Sequence, residues 1–363
     1  MIQTAAVLGA GTMGSQIAGL LADCGIVCYL LDLKSNDCPN RLADAAKNRL
    51  TSLRPSAVST PSVLDRVITG NLIDDLPRLA EVDWVIEAVS EDVKTKRLVW
   101  ADVIPHVESN VILSTNTSGI PISSIGSVLP PDLRKRFIGA HFFNPPRYLP
   151  LLEIIPTDLT DTNVSKELYS FGEDVLGRGI IMANDVPNFV GNRIGTYAIM
   201  LSLKAMDEFG LTPEEVDALT GKPIGRPSSA TFRTLDLIGI DVFEAVLENS
   251  IRITTDSDQL ETLEIPSYFK DMIHRGWCGE KTGQGFYRKT YTNEKKQISV
   301  LNLDSLEYQP MKYLMARSLD TIRNIEDPRA RINKLIRLDD ITSRFAWRVL
   351  SKLMLYGANL IGN

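Results

Sequence analysis

Gly9, Gly11 and Gly14, in the run GAGTMG, have the spacing G-x-G-x-x-G. That spacing suits phosphate chemistry. The first glycine allows a tight turn, the second lets the backbone approach a pyrophosphate, and the third lets a helix pack closely on a strand. The helix that follows the turn offers free amide N–H groups and the positive end of its dipole to an anion, with Thr12 and Met13 of the turn among the expected cofactor-binding residues. Asp32 ends the next apolar run, where a carboxylate binds a ribose 2′-hydroxyl and repels a 2′-phosphate. The expected cofactor is therefore NAD rather than NADP.

Oxidising an alcohol with NAD also needs a base for the hydroxyl proton, and histidine suits that task near neutral pH. The chain has His106, His141 and His274. His106 and His274 lie in segments with a helical pattern and read as structural or exposed. His141 ends the strand-like run FIGAH and precedes FFNPP, which places it beyond the carboxyl end of a strand, where open α/β sheets bind ligands. Glu153 sits inside the apolar run LLEII, and a carboxylate among apolar neighbours needs a partner. Pairing with His141 would fix the imidazole tautomer; an unrelated ion pair for Glu153 is the alternative. No metal site is expected.

These residues need elements to hold them. QTAAVL (3–8) reads as a buried strand, Ser15 to Cys24 as a helix ended by Gly25, and IVCYLLDL (26–33) as a second strand. This is a βαβ unit, and it predicts a parallel sheet. Further strand-length runs are 83–89, 110–116, 136–143 and 150–155. The expected fold is α/β: a doubly wound N-terminal Rossmann domain over 1–187, then an all-α C-terminal domain over 188–290, with Gly210 and Gly221 at helix ends. Residues 291–363 read as a linker or hairpin (295–308) followed by helical stretches at 311–335 and 340–360. The apolar helix 344–361 faintly echoes 188–206, as if a second copy of the helical domain began there.

Composition narrows the class. With 363 residues, 39 Lys plus Arg against 45 Asp plus Glu give a net charge of −6, which argues against a general nucleic-acid or anionic-membrane surface. Four cysteines, none in a CxxC pair, make no disulfide framework and suit a reducing, cytoplasmic setting. No apolar run approaches the ~20 residues of a membrane span.

The chain resembles the L-3-hydroxyacyl-CoA dehydrogenases through AAVLGAGTMGSQIA (5–18), VIEAVSEDVKTK (85–96), STNTSGIPI (114–122), GAHFFNPP (139–146), LLEIIP (151–156), PNFVGNRI (187–194) and KTGQGFY (281–287), in that order. Its later part, from RPSSATFRTLDLIGIDV (226–242) onward, is similar to bacterial fusions in which this dehydrogenase precedes an enoyl-CoA hydratase. By that likeness the chain is expected to be a truncated piece of such a fusion. The resemblance implies NAD-dependent oxidation of an L-3-hydroxyacyl-CoA to the 3-ketoacyl-CoA in fatty-acid β-oxidation, with His141 as general base and Glu153 orienting it. Ser118 and Asn192 are then hydrogen-bonded to the reacting oxygen. Glu91, Lys96, Asn116, Asn144 and Lys281 then line the nicotinamide side. A homodimer and an acyl chain lying between the two domains are implied as well. Lys34, Arg41, Lys47 and Arg49 are open candidates for coenzyme A. A relative acting on a non-CoA 3-hydroxy acid, or a non-catalytic NAD-binding fragment, is the alternative reading.

Overall fold

The computed structural model describes residues 2–292, 295–312, 314 and 316–361. The chain divides into two compact units, Met1–Val190 and Gly191–Asn363. In the first, eight strands form one sheet: β1 (Thr4–Leu8), β2 (Val27–Asp32), β3 (Val67–Asn71), β4 (Trp84–Glu87), β5 (Ile112–Thr115), β6 (Phe137–Phe142), β7 (Leu151–Pro156) and β8 (Gly179–Met182). Their order is β3-β2-β1-β4-β5-β6-β7-β8. The first six run parallel in the order of a dinucleotide-binding sheet.

Alternation along each strand builds a core on both faces. Ala5 and Val7 of β1, with Trp84 and Ile86 of β4, enter one apolar cluster. Ala6, Leu8 and Val85 enter the opposite one. Burial on both sides is why these runs read as continuously apolar.

The expected parallel sheet acquires an antiparallel margin, because β7 returns against β6 and β8 pairs parallel to β7. β3 and β8 escaped the sequence reading. β3 (VITGN) carries polar Thr69 and Asn71, and β8 is a short strand that is half exposed.

The second unit is mainly helical. Its first helix, Gly191–Phe209, ends just before Gly210, and Pro213–Thr220 ends before Gly221. Ile341–Asn359 packs antiparallel on the first helix: Tyr197 stacks on Tyr356 at 3.9 Å, and Arg348 meets Glu208 at 2.9 Å. These two helices hold the apolar segments that echo each other in sequence. The unit also contains a three-stranded antiparallel sheet, β9 (Tyr287–Thr292), β10 (Lys295–Leu301) and β11 (Tyr308–Pro310), so the hairpin expected at 295–308 is part of a larger sheet. Between 311 and 335 the helices are shorter than expected, Arg317–Ile322 and Pro328–Leu335.

Asp236 organises the loop before β9. It accepts the N–H groups of Phe286 and Tyr287 at 2.8 and 2.9 Å, and a Cβ at Gly285 would lie 2.0 Å from its carboxylate. The last glycine of KTGQGFY is therefore a packing requirement.

Candidate active site

The strand order reverses direction about β1, between β2 and β4, and ligands of open α/β sheets bind above such a point. The glycine turn lies there. Gly9 has φ +98 and donates its N–H to Leu31 O at 2.7 Å, and a Cβ on it would press on Ala88 O at 2.8 Å. At Gly14 a Cβ would fall 1.9 Å from Gly9 O, so turn and helix can approach this closely only without a side chain. A Cβ on Gly11 would meet nothing within 4 Å, which leaves open space beside the backbone. The helix Thr12–Asp23 begins there with no side-chain cap on its first amides. Asp32, at the end of β2, accepts Ala10 N–H at 2.5 Å and Leu33 N–H at 2.6 Å. An open backbone beside uncapped amides and an oriented carboxylate at the ribose position fits a dinucleotide.

β6 and β7 explain the distance in sequence between His141 and Glu153. In their antiparallel register the two are directly opposed, and Nδ1 of His141 lies 2.7 Å from Oε2 of Glu153. Glu153 is 0% exposed and His141 4%. Oε1 of Glu153 also accepts the Val190 N–H at 2.9 Å. In the neutral imidazole a proton on Nδ1 can donate to this carboxylate, and that tautomer leaves Nε2 a lone pair.

A second network, buried at Lys96 and Glu87 and open at Glu91, stands at the ends of β4 and β5. Lys96, 1% exposed, meets Glu87 at 2.8 Å and Glu91 at 3.1 Å. Glu87 also accepts the Val89 N–H and the Thr115 hydroxyl. Glu91 accepts the Thr117 hydroxyl at 2.6 Å and the Ser118 N–H at 2.7 Å. Desolvation pushes the Glu91 carboxyl up, but Lys96, Thr117 and Ser118 together hold it below its ordinary value. Asn116 accepts the Phe142 N–H at 2.9 Å, joining the end of β5 to the end of β6. Asn144 is held by Nε2 of Gln16, at 3.3 Å, from the helix that follows the glycine turn. The first unit thus gathers Ser118, His141, Glu153, Glu91, Lys96 and Asn116 at one edge of the sheet.

Asn192 and Lys281 belong to the second unit. Asn192 is in the first turn of helix Gly191–Phe209, and Lys281 pairs with Asp241 at 2.6 Å. Glu87 is a network member that the sequence reading passed over. Its signal was present: an acid inside the apolar run VIEAV, the same anomaly that marked Glu153.

Family models settle the class. Residues 4–186 match the NAD binding domain of 3-hydroxyacyl-CoA dehydrogenase, and residues 189–289 match its C-terminal domain. The chain belongs to the 3-hydroxyacyl-CoA dehydrogenase family. Proteins of Bacillus subtilis (strain 168) and Deinococcus radiodurans, each named "Probable 3-hydroxyacyl-CoA dehydrogenase", are 40% and 47% identical. The alignments cover 99% of this chain and 47% of the Bacillus protein, and 80% of this chain and 83% of the Deinococcus protein. The chain thus spans about half the length of the Bacillus relative. A crystal structure of (S)-3-hydroxybutyryl-CoA dehydrogenase from Ralstonia eutropha is 27% identical with a TM-score of 0.65, over 78% of this chain and 98% of that one.

Of the four candidates for coenzyme A in this family member, Lys34 pairs with Asp74 at 2.8 Å, and Arg41 with Asp37 at 2.6 Å. Lys47 donates to Val67 O at 2.7 Å, and Arg49 is exposed. No helix among the described residues is long and apolar enough to cross a membrane.

Proposed function

We propose that this chain oxidises an L-3-hydroxyacyl-CoA to the 3-ketoacyl-CoA with NAD, and runs in reverse with NADH, as a step of fatty-acid oxidation. The buried His141–Glu153 pair at the cofactor edge of the family's NAD-binding domain carries this reading. Gly9, Gly11, Gly14 and the amides of Thr12 and Met13 would hold the pyrophosphate, and Asp32 the adenosine ribose. NAD, when bound, supplies the hydride acceptor. His141 takes the substrate hydroxyl proton at Nε2, and Glu153 keeps the other ring proton on Nδ1 throughout. Ser118 holds the oxygen as its charge develops, a contribution worth roughly 2–4 kcal/mol. Glu91, through the Ser118 N–H and the Thr117 hydroxyl, fixes the turn that presents Ser118. Lys96 keeps both neighbouring glutamates compensated, and Asn116 and Asn144 complete the first unit's nicotinamide side.

We assign the cytoplasm as its compartment, supported by four unpaired cysteines, and a homodimer as its assembly. Light scattering of the purified chain tests the dimer. The test of activity is NADH oxidation with acetoacetyl-CoA against free acetoacetate. Turnover of the CoA ester alone is expected. Equal turnover of free acetoacetate would transfer the reading to a non-CoA 3-hydroxy acid.

A further inference from the structure

The first unit ends in a turn whose backbone is costly. Asn188 and Phe189 both lie in the left-handed region, with φ 64 and 45. For a bulky residue such as Phe189 this conformation is strained, so the surroundings must enforce it. The conformation delivers two contacts to the same pair. Phe189, wholly buried, sets its ring 5.7 Å from the His141 imidazole, tilted by 56°. The next residue, Val190, points its N–H at Oε1 of Glu153, 2.9 Å away. Phe143 closes on the imidazole as well, its ring centroid at 4.4 Å and tilted by 55°.

An imidazole packed by two tilted aromatic rings has little room to flip, and a carboxylate fixed at one oxygen presents the other in a single direction. We propose that the strained turn 188–190 is the positioning element of the catalytic pair. Phe189 fixes the plane of the His141 ring and the Val190 N–H fixes the Glu153 carboxylate, so Nε2 is an unprotonated acceptor before substrate arrives. Phe189 and Val190 are positioning residues: they act through His141 and Glu153 and touch no reacting atom. The inference rests on His141 being the base, as proposed above.

The test reads the ring itself. With three histidines in the chain, ¹⁵N-imidazole NMR of the substrate-free protein resolves the tautomer of His141. The wild type should show one Nδ1–H form. Phe189→Ala should show mixed tautomers and a kcat/KM for acetoacetyl-CoA roughly 10- to 100-fold lower, with the NADH Kd within about twofold. Phe189→Leu, which keeps most of the bulk, should restore the single form and most of the rate. Should Phe189→Ala not fold, an ester in place of the amide at residue 190, introduced with the α-hydroxy analogue of valine, removes the N–H donor alone and should lower kcat without moving KM. A wild type in the Nε2–H form overturns the proposal. So does a folded Phe189→Ala or ester variant with one Nδ1–H form and undiminished kcat/KM. A wild type inactive on every 3-ketoacyl-CoA would refute the proposed activity, while the imidazole spectra would still decide this point.

Discussion

The two units hold carboxylates in opposite ways. In the first, buried Glu87 faces the ammonium of Lys96, exposed Glu91 meets Lys96 with a hydroxyl and an amide, and buried Glu153 faces His141. In the second, buried Asp236 and half-buried Asp217 face neutral donors. Asp217 accepts the N–H groups of Thr231, Phe232 and Arg233 and the Tyr287 hydroxyl, and Asp236 those of Phe286 and Tyr287. The outcomes differ in sign. Glu91 is held below its ordinary value, whereas burial pushes Asp217 up and raises Asp236 to about 6, with Asp217 and Glu280 adding repulsion. The Lys96 cation helps keep Glu91 ionised, whereas burial with no cation beside them raises Asp217 and Asp236 although the N–H and O–H donors around them pull the other way.

The sharpest way to break this contrast is to remove the cation. Lys96→Met leaves Glu87 buried without its counter-charge and should destabilise the first unit by roughly 3–5 kcal/mol. Urea unfolding measures this, and a loss under about 1 kcal/mol would show that Glu87 has other compensation.

The next largest effect lies in the second unit. Because the folded pKa of Asp236 is raised, its stabilising contribution is complete below the unfolded value and is lost as pH rises through about 6. Between pH 4 and 7 that loss amounts to roughly 2 kcal/mol. Asp236→Asn should flatten the pH dependence of unfolding by this amount, and an unchanged slope would refute the assignment. Glu91 works the other way. Its contribution is present above the ordinary glutamate value and fades as pH falls through its lowered one.

The smallest effect concerns Asp32, which is set by two amides and partly exposed. Asp32→Ala should weaken NAD binding about tenfold, the worth of one charged hydrogen bond, and reduce discrimination against NADP. Titration calorimetry with both cofactors checks this, and equal affinities in wild type and variant would contradict it.

Much of the first unit was legible in sequence because its chemistry is local. GAGTMG, the end of β2 and the apolar runs each announce one element. The His141–Glu153 pair was legible because an acid in an apolar strand needs a partner, and an antiparallel return supplies it. Lys96 was assigned to the cofactor side by likeness, but its burial was not legible. In EDVKTKRLVW it resembles any lysine on a solvated helix, and only the packing of Val93–Val103 sends it inward to Glu87. The turn at 188–190 was hidden for another reason. Asn188 tolerates a left-handed backbone but Phe189 does not announce one, and the donor to Glu153 is the Val190 backbone N–H, which has no side-chain signature. β3 lacks a continuous apolar run, and β8 has one too short and too exposed to stand out.

The prepared base is the centre of the account, and one comparison tests it most directly: kcat/KM for NADH-dependent reduction of acetoacetyl-CoA, with the NADH Kd, in wild type and His141→Ala. The expected result is a fall in kcat/KM of roughly 10²- to 10⁴-fold with the NADH Kd held within about twofold. Turnover within threefold of wild type in a folded His141→Ala protein would contradict it, and the proton would have to pass through another group.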